Sequence, residues 1–354
     1  MKDTIKLLIV DDSKLMRRVI TKIFDSADHI QVVGKATNGK EALELIPRLN
    51  PDVVTLDINM PVMDGLTALK HIMIRYPRPV VMLSTLTKEG ATETFDALKY
   101  GAVDFIHKPS NTQPVSLEEQ CQMVVRQVTL AAGVEIGSIR YLRTKSAKFQ
   151  DAGGAKETKC DYICAVGASE GGYGTLLKII PQLAPDLPAA VLVVLYEASR
   201  HVEAFARYLD DNCIFRVRRA TDGESVEPGC CYLVSGKQYV TLHSFYGEYS
   251  LAINAAPFTT QKGGINMLMF SLAEIMKEHS VGVVLSGSGE DGAEGLEEIL
   301  RMKGTAIVQE PRSCLYKEMA ISAIDRCSPD IVIPDTEIAA KINQLVKRDE
   351  MSNA

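Results

Sequence analysis

The sequence predicts two α/β domains in series: a doubly wound, five-stranded parallel sheet over residues 1–131, and a second α/β layer with a small β excursion over residues 160–348. Three observations carry this. Short β-branched runs alternate with longer segments whose apolar residues recur at three- and four-residue spacing. The rhythm breaks over 132–159, where GVEIG, charged residues and DAGGAKETK show no sustained period, and then resumes. Finally, 354 residues exceed what one hydrophobic core usually supports.

In the first domain the strands are IKLLIV, HIQVVGKA, DVVTLD, PVVMLS and VDFIHK. Helical stripes run between them over Lys14 to Phe24, Gly39 to Leu49 and Gly65 to Arg75, and a last helix covers Leu117 to Ala131. In the second domain strands are expected at Tyr162 to Val166, Ala190 to Leu195, Val281 to Leu285, Thr305 to Val308 and Ile331 to Ile333. Hairpin-like pieces are expected at Cys231 to Val234, Tyr239 to His243 and Ser250 to Ile253, and a tail at 349–354.

Composition removes several classes of function. Apolar residues make up 46% and charged residues 24%, and no apolar stretch reaches the roughly 18 residues of a membrane span, so no membrane insertion is expected. The N-terminus MKDTIKLLIVDDS lacks the h-region of a secretory signal, which points to the cytoplasm. A net charge of -6, with no dense basic block, argues against a nucleic-acid surface. Eight cysteines are scattered without a CxxC pair or a histidine at ligand spacing, so they read as idle thiols rather than a zinc site.

The first concentration of chemistry is acidic. Asp11 and Asp12 follow the first strand and Asp57 ends the third, and in an open parallel sheet functional groups gather outside the carboxyl ends of the strands. Three carboxylates there call for a hard divalent cation, and Mg²⁺ suits a site that also receives phosphate. Asp57 would be the nucleophile of a mixed anhydride, with Lys108 supplying positive charge and Ser84 a hydroxyl to the phosphoryl oxygens. Any one of these aspartates would also serve as a turn former or helix cap; the set on successive strand ends is what points to a site.

The motifs LLIVDDS, PDVVTLDINMPVMDG, VMLSTLT and FIHKP resemble the receiver domain of two-component response regulators, which has a flavodoxin-like fold. The resemblance implies that Asp11, Asp12, Asp57 and the carbonyl of Asn59 hold Mg²⁺. It also implies that Asp57 takes phosphate from a histidine kinase, and that Ser84 and Phe105 switch with Lys108 on phosphorylation. Phe105 would serve equally as plain core.

The second concentration is YICAVGASEGG, which places Ser169 in a G-x-S-x-G frame between a strand and a helix. Such a turn exposes a serine beside helix N–H donors, and it would also serve as a tight turn or an anion-binding loop. A serine nucleophile needs an imidazole and an orienting carboxylate. Only His201, His243 and His279 follow Ser169, and none follows Asp291 in LSGSGEDG, which leaves the order Ser, His, Asp.

ICAVGASEGG, VLVVLYEASRHVEAFARYL, GVVLSGSGEDGAEGL and IVQEPRSC resemble the C-terminal domain of the chemotaxis protein-glutamate methylesterase family, in which it follows a receiver. The family hydrolyses methyl esters on receptor glutamates and often deamidates receptor glutamines, so the resemblance implies a methyl-accepting receptor as partner. It places Ser169 at the nucleophile and Asp291 at the triad acid, but puts Tyr196 in the histidine slot. Glu170, Ser288 and Glu318 to Ala320 also depart from the family pattern. A neutral phenol with pKa near 10 does not replace imidazole at pH 7. The expectation is a response regulator whose methylesterase-like output domain is degenerate and acts by binding. The alternatives are an active esterase or amidase with His201, Glu170 or Glu197 as a rebuilt base, and a small-molecule sensor using the GASEGG loop.

Overall fold

The computed structural model describes residues 4–84, 91–108, 116–134, 136, 160–255 and 263–347. Pro109, the TLT of VMLSTLT, nearly all of the expected connector and the 349–354 tail lie outside the described residues. The chain divides into two compact units, Met1–Leu142 and Arg143–Ala354.

In the first unit β1 (Ile5–Val10), β2 (Ile30–Ala36), β3 (Val53–Asp57), β4 (Val80–Ser84) and β5 (Asp104–His107) form one parallel sheet in the order β2-β1-β3-β4-β5. Helices α1 (Lys14–Asp25), α2 (Gly39–Leu49), α3 (Gly65–Arg75), α4 (Ala91–Lys99) and α5 (Leu117–Ala132) connect and flank the strands. Parallel strands covered on both faces read as continuous apolar runs, and all five residues of β3 and of β4 are buried. Local chemistry starts the helices where the sequence changes period. Ser13, Asn38 and Asp64 each accept a backbone N–H from the first turn of α1, α2 and α3, and Ser116 with Glu119 forms a capping box on α5. Leu7, Ile9, Phe24, Val81, Ile106 and Val128 belong to one core on a single face of the sheet.

The second unit is built on seven parallel strands in the order β14-β13-β12-β6-β7-β9-β8. In chain order it contains β6 (Tyr162–Ala168), α6 (Gly172–Ile179), β7 (Ala189–Leu195), α7 (Ser199–Asn212), β8 (Arg216–Arg219) and β9 (Cys230–Ser235). An antiparallel pair follows, β10 (Gln238–Phe245) and β11 (Glu248–Ala255). The unit closes with α8 (Gly264–Met276), β12 (Ser280–Val284), α9 (Ala293–Arg301), β13 (Thr305–Gln309), α10 (Glu318–Cys327), β14 (Ile331–Ile333) and α11 (Asp335–Lys347).

Two features depart from the sequence expectation. β9, expected as a hairpin piece, lies between β7 and β8 with Val191 opposite Cys231 and Val217 opposite Cys231. All six of its residues are buried, so its apolar run is that of an interior parallel strand. β8, reading RVRR, gives no apolar signal; it is the sheet edge, where charged side chains are tolerated and discourage further pairing.

The two strand orders place the sites. In the first sheet the winding direction reverses between β1 and β3, and in the second between β6 and β12, so a crevice opens beyond the carboxyl ends of each pair. Asp11 and Asp57 sit at the first crevice, Ser169 and Asp291 at the second.

Candidate functional site

In the first unit Asp11 is fully buried, Asp57 nearly so, and Asp12 is exposed. Lys108 Nζ bridges the two buried carboxylates, 2.9 Å from Asp11 Oδ2 and 2.8 Å from Asp57 Oδ2. Burial pushes the Asp57 carboxyl above its ordinary range against the opposing pull of Lys108, and Asp11 adds to the rise. For Lys108, burial favours the neutral amine, but hydrogen bonds to Asp57 and Asp11 outweigh it and raise the pKa. The loop carrying Asp11 and Asp12 is braced by Arg17, whose Nη1 donates to the carbonyls of Asp11 at 2.6 Å and Asp12 at 2.9 Å. Nothing in the sequence singled out Arg17; its place in the first turn of α1 brings it back over the loop.

Asp11, Asp12 and Asp57 offer carboxylate oxygens that all lie within 4.8 Å of one another. That is an all-oxygen donor set compact enough for a small hard cation that keeps several waters, so the residues present fit Mg²⁺. Asn59 is exposed in the loop after β3. Ser84 ends β4, and its hydroxyl is hydrogen bonded to Thr94 of α4 at 2.8 Å. Phe105 is buried, its ring edge-on to His107 at 5.6 Å between centroids. Gly65 closes the loop after Asp57: a Cβ there would run into the Asp57 carbonyl, with Ile58 Cα 2.9 Å away.

In the second unit Ser169 follows β6, and Gly171, at φ 76, turns the chain into α6. Ser169 Oγ donates to Glu170 Oε2 at 2.8 Å. The same carboxylate oxygen accepts the hydroxyl of Ser288, and the Ser288 N–H at 3.3 Å. Burial opposes ionisation of Glu170, but the hydrogen bonds from Ser288 and Ser169 prevail and hold its carboxyl below the ordinary range. The turn carrying Ser288 packs directly on the serine, since a Cβ on Gly287 would lie 2.7 Å from Ser169 Cβ and collide with Met319 Sδ.

Asp291 and Tyr196 meet instead of facing a histidine. The Tyr196 hydroxyl donates to Asp291 Oδ2 and accepts the N–H of Gly264 at 3.0 Å. Asp291 also accepts the N–H groups of Ile265 at 2.9 Å and Asn266 at 3.1 Å, the opening turn of α8. Burial, and then the adjacent Asp291 charge, drive the phenol far above its ordinary range, so it stays protonated. The ring lies over Gly236, where a Cβ would have no room.

His201 is buried in α7, only 7% exposed. Its Nδ1 lies 3.3 Å from Glu197 Oε2, and its Nε2 accepts from Arg200 Nε at 3.1 Å. Ser169 and Glu170 are thus brought together, as are Tyr196 and Asp291, while His201 and Glu197 pair with each other.

An acidic pocket at the switch point of a receiver-type fold, followed by an α/β domain with a serine at its own switch point, defines a two-domain response regulator with an esterase-type output. Comparison with known proteins agrees. Residues 7–118 match the response regulator receiver domain, and residues 164–342 match the CheB methylesterase domain. A protein-glutamate methylesterase/protein-glutamine glutaminase of Pyrococcus horikoshii is 36% identical over 349 residues, covering 97% of this chain and 94% of the relative. One of the same name from Archaeoglobus fulgidus is 38% identical over 339 residues, covering 95% and 97%. The crystal structure of the Thermotoga maritima CheB methylesterase catalytic domain superposes with a TM-score of 0.51 at 29% identity, covering 52% of this chain and 98% of that one. The chain belongs to the protein-glutamate methylesterase/protein-glutamine glutaminase family, as a chemotaxis-type response regulator carrying a methylesterase domain. No described helix is long and apolar enough to cross a membrane.

Proposed function

We propose that this protein is a response regulator phosphorylated on Asp57 whose methylesterase domain is catalytically silent and acts by binding. The boundaries we assign are 1–131 for the receiver, 132–159 for the connector, 160–348 for the output domain and 349–354 for the tail. The protein would be cytoplasmic, its phosphodonor a cognate histidine kinase and its bound partner a methyl-accepting receptor or related signalling protein.

In the receiver, the Asp57 carboxylate would attack the phosphorus of a phosphohistidine, forming the O–P bond as the N–P bond breaks. Asp11, Asp12, Asp57 and the Asn59 carbonyl would hold Mg²⁺, which when bound supplies positive charge against the phosphoryl oxygens. Lys108, already 2.8 Å from Asp57, is placed to pair with the transferred group. Ser84 would exchange Thr94 for a phosphoryl oxygen, and Phe105 would change its packing in response.

The observation that carries the output reading is that the Asp291 carboxylate is hydrogen bonded to a phenol rather than an imidazole. A serine triad without its base typically loses on the order of 10⁴- to 10⁶-fold in turnover. One contact favours a second reading: Ser169 donates to Glu170 at 2.8 Å, as to a general base. A carboxyl held below its ordinary range is, however, a poor acceptor for a serine proton. His201 and Glu197 fit that role less well, being paired with each other.

The test is methanol release from methylated receptor by the full chain, with Mg²⁺ and a small phosphodonor, beside Ser169→Ala. No release while Asp57 is phosphorylated in the same tube supports the reading. Release that vanishes in the variant overturns it.

A further inference from the structure

We infer that Glu170 is an electrostatic lock on Ser169, disabling the serine independently of the loss of the histidine. The inference rests on the reading of the output domain as a silent esterase and adds a second, separable cause.

Three donors converge on one Glu170 oxygen: Ser169 Oγ at 2.8 Å, the Ser288 hydroxyl, and the Ser288 N–H at 3.3 Å. The last two come from the turn that packs on Ser169, and a Cβ on the neighbouring Gly287 would lie 2.7 Å from Ser169 Cβ. A backbone N–H beside the nucleophile is therefore engaged by a carboxylate instead of being open to a developing oxyanion. Glu170 is held below its ordinary range by these hydrogen bonds, so it carries a full negative charge at neutral pH.

That charge opposes ester hydrolysis at each stage. The Ser169 proton is directed at a weak base, and an imidazole placed at position 196 would have to compete for it. Attack of Oγ on an ester carbonyl forms a C–O bond and moves an electron pair onto the carbonyl oxygen, creating an anion beside a fixed anion. The product acid is anionic as well. Glu170 touches the nucleophile yet stabilises none of the charge the reaction develops.

The experiment compares wild type, Tyr196→His, Glu170→Ala and the double variant, each as the full chain with Mg²⁺ and a small phosphodonor. Methanol release from a methyl-esterified glutamyl peptide and fluorophosphonate labelling of Ser169 are measured. The expected result is that Tyr196→His alone stays within about 10-fold of wild type, while the double variant exceeds it by on the order of 10²-fold, the scale of one oxyanion donor. Tyr196→His alone matching the double variant overturns the lock but leaves the silent-esterase reading standing. Should the wild type itself hydrolyse the peptide through Ser169, that reading fails. Glu170→Ala then decides the lock separately, since a faster variant retains it and a slower one makes Glu170 the base. If Tyr196→His lowers the melting temperature too far for assay, labelling of Glu170→Ala against wild type decides alone. Faster labelling supports the lock, and equal or slower labelling overturns it.

Discussion

Asp291 and Asn266 cap each other's helices. Asp291, just ahead of α9, accepts the N–H of Asn266 at 3.1 Å in the first turn of α8. The Asn266 side chain in return accepts the N–H groups of Gly292 at 2.9 Å and Gly295 at 2.8 Å at the start of α9. Each side chain meets orphan donors that its own helix cannot satisfy. The carboxylate also lies against the positive end of α8, where negative charge is favoured.

Removing half of this clasp should therefore cost more than a surface cap. Asn266→Ala leaves the Gly295 N–H without its acceptor, while Gly292 keeps Asp291 Oδ1 at 3.0 Å, and is expected to destabilise the output domain by about 1–3 kcal/mol. Denaturant unfolding monitored by circular dichroism measures it, and no loss would mean that water replaces the amide without penalty.

Tyr196→Phe removes one hydroxyl that donates to Asp291 and accepts from Gly264. The loss should be about 1–2 kcal/mol. At roughly 2–4 °C per kcal/mol for a domain of this size, the melting temperature falls by about 2–8 °C.

Asp57→Asn should abolish phosphoryl incorporation from a small phosphodonor without weakening the receiver. The Asp57 pKa is raised above 3.8 by burial, so the folded state binds its proton more tightly than the unfolded chain does. The penalty for this carboxylate is thus present at neutral pH and fades as pH falls toward 3.8. The variant should melt no lower than wild type at pH 7, and the difference should shrink on acidification; a marked loss at pH 7 would show that the Lys108 ion pair dominates instead.

The same sign applies to direct titration. In the metal-free site the Asp57 carboxylate should take up its proton at a pH above that of an ordinary exposed aspartate, and bound Mg²⁺ should move that transition down. A carboxyl-carbon NMR titration of the wild type without and with Mg²⁺ checks this.

Gly65→Ala should slow phosphorylation, because the added methyl meets the Asp57 carbonyl and must displace the β3 end. Stability and phosphorylation rate should fall together.

Much of this was legible in the chain before any coordinates. Short β-branched runs and apolar stripes at three- and four-residue spacing set the strands and helices, and strand-end position marked Asp11, Asp57, Ser169 and Asp291, because apolar runs and the polar residue that ends them are local facts. The absence of an imidazole at position 196 was equally local. Strand order was not: nothing in CCYLVS distinguishes a hairpin arm from an interior parallel strand, and RVRR gives no strand signal. Only packing decided that β9 lies between β7 and β8 and that the winding reverses beside Ser169. Side-chain partnerships across 95 to 118 residues of chain, Tyr196 with Asp291 and Glu170 with Ser288, were likewise beyond any pattern in the sequence. They arise because parallel β-α winding brings successive strand ends to one edge, where polar side chains from distant segments must satisfy one another out of water.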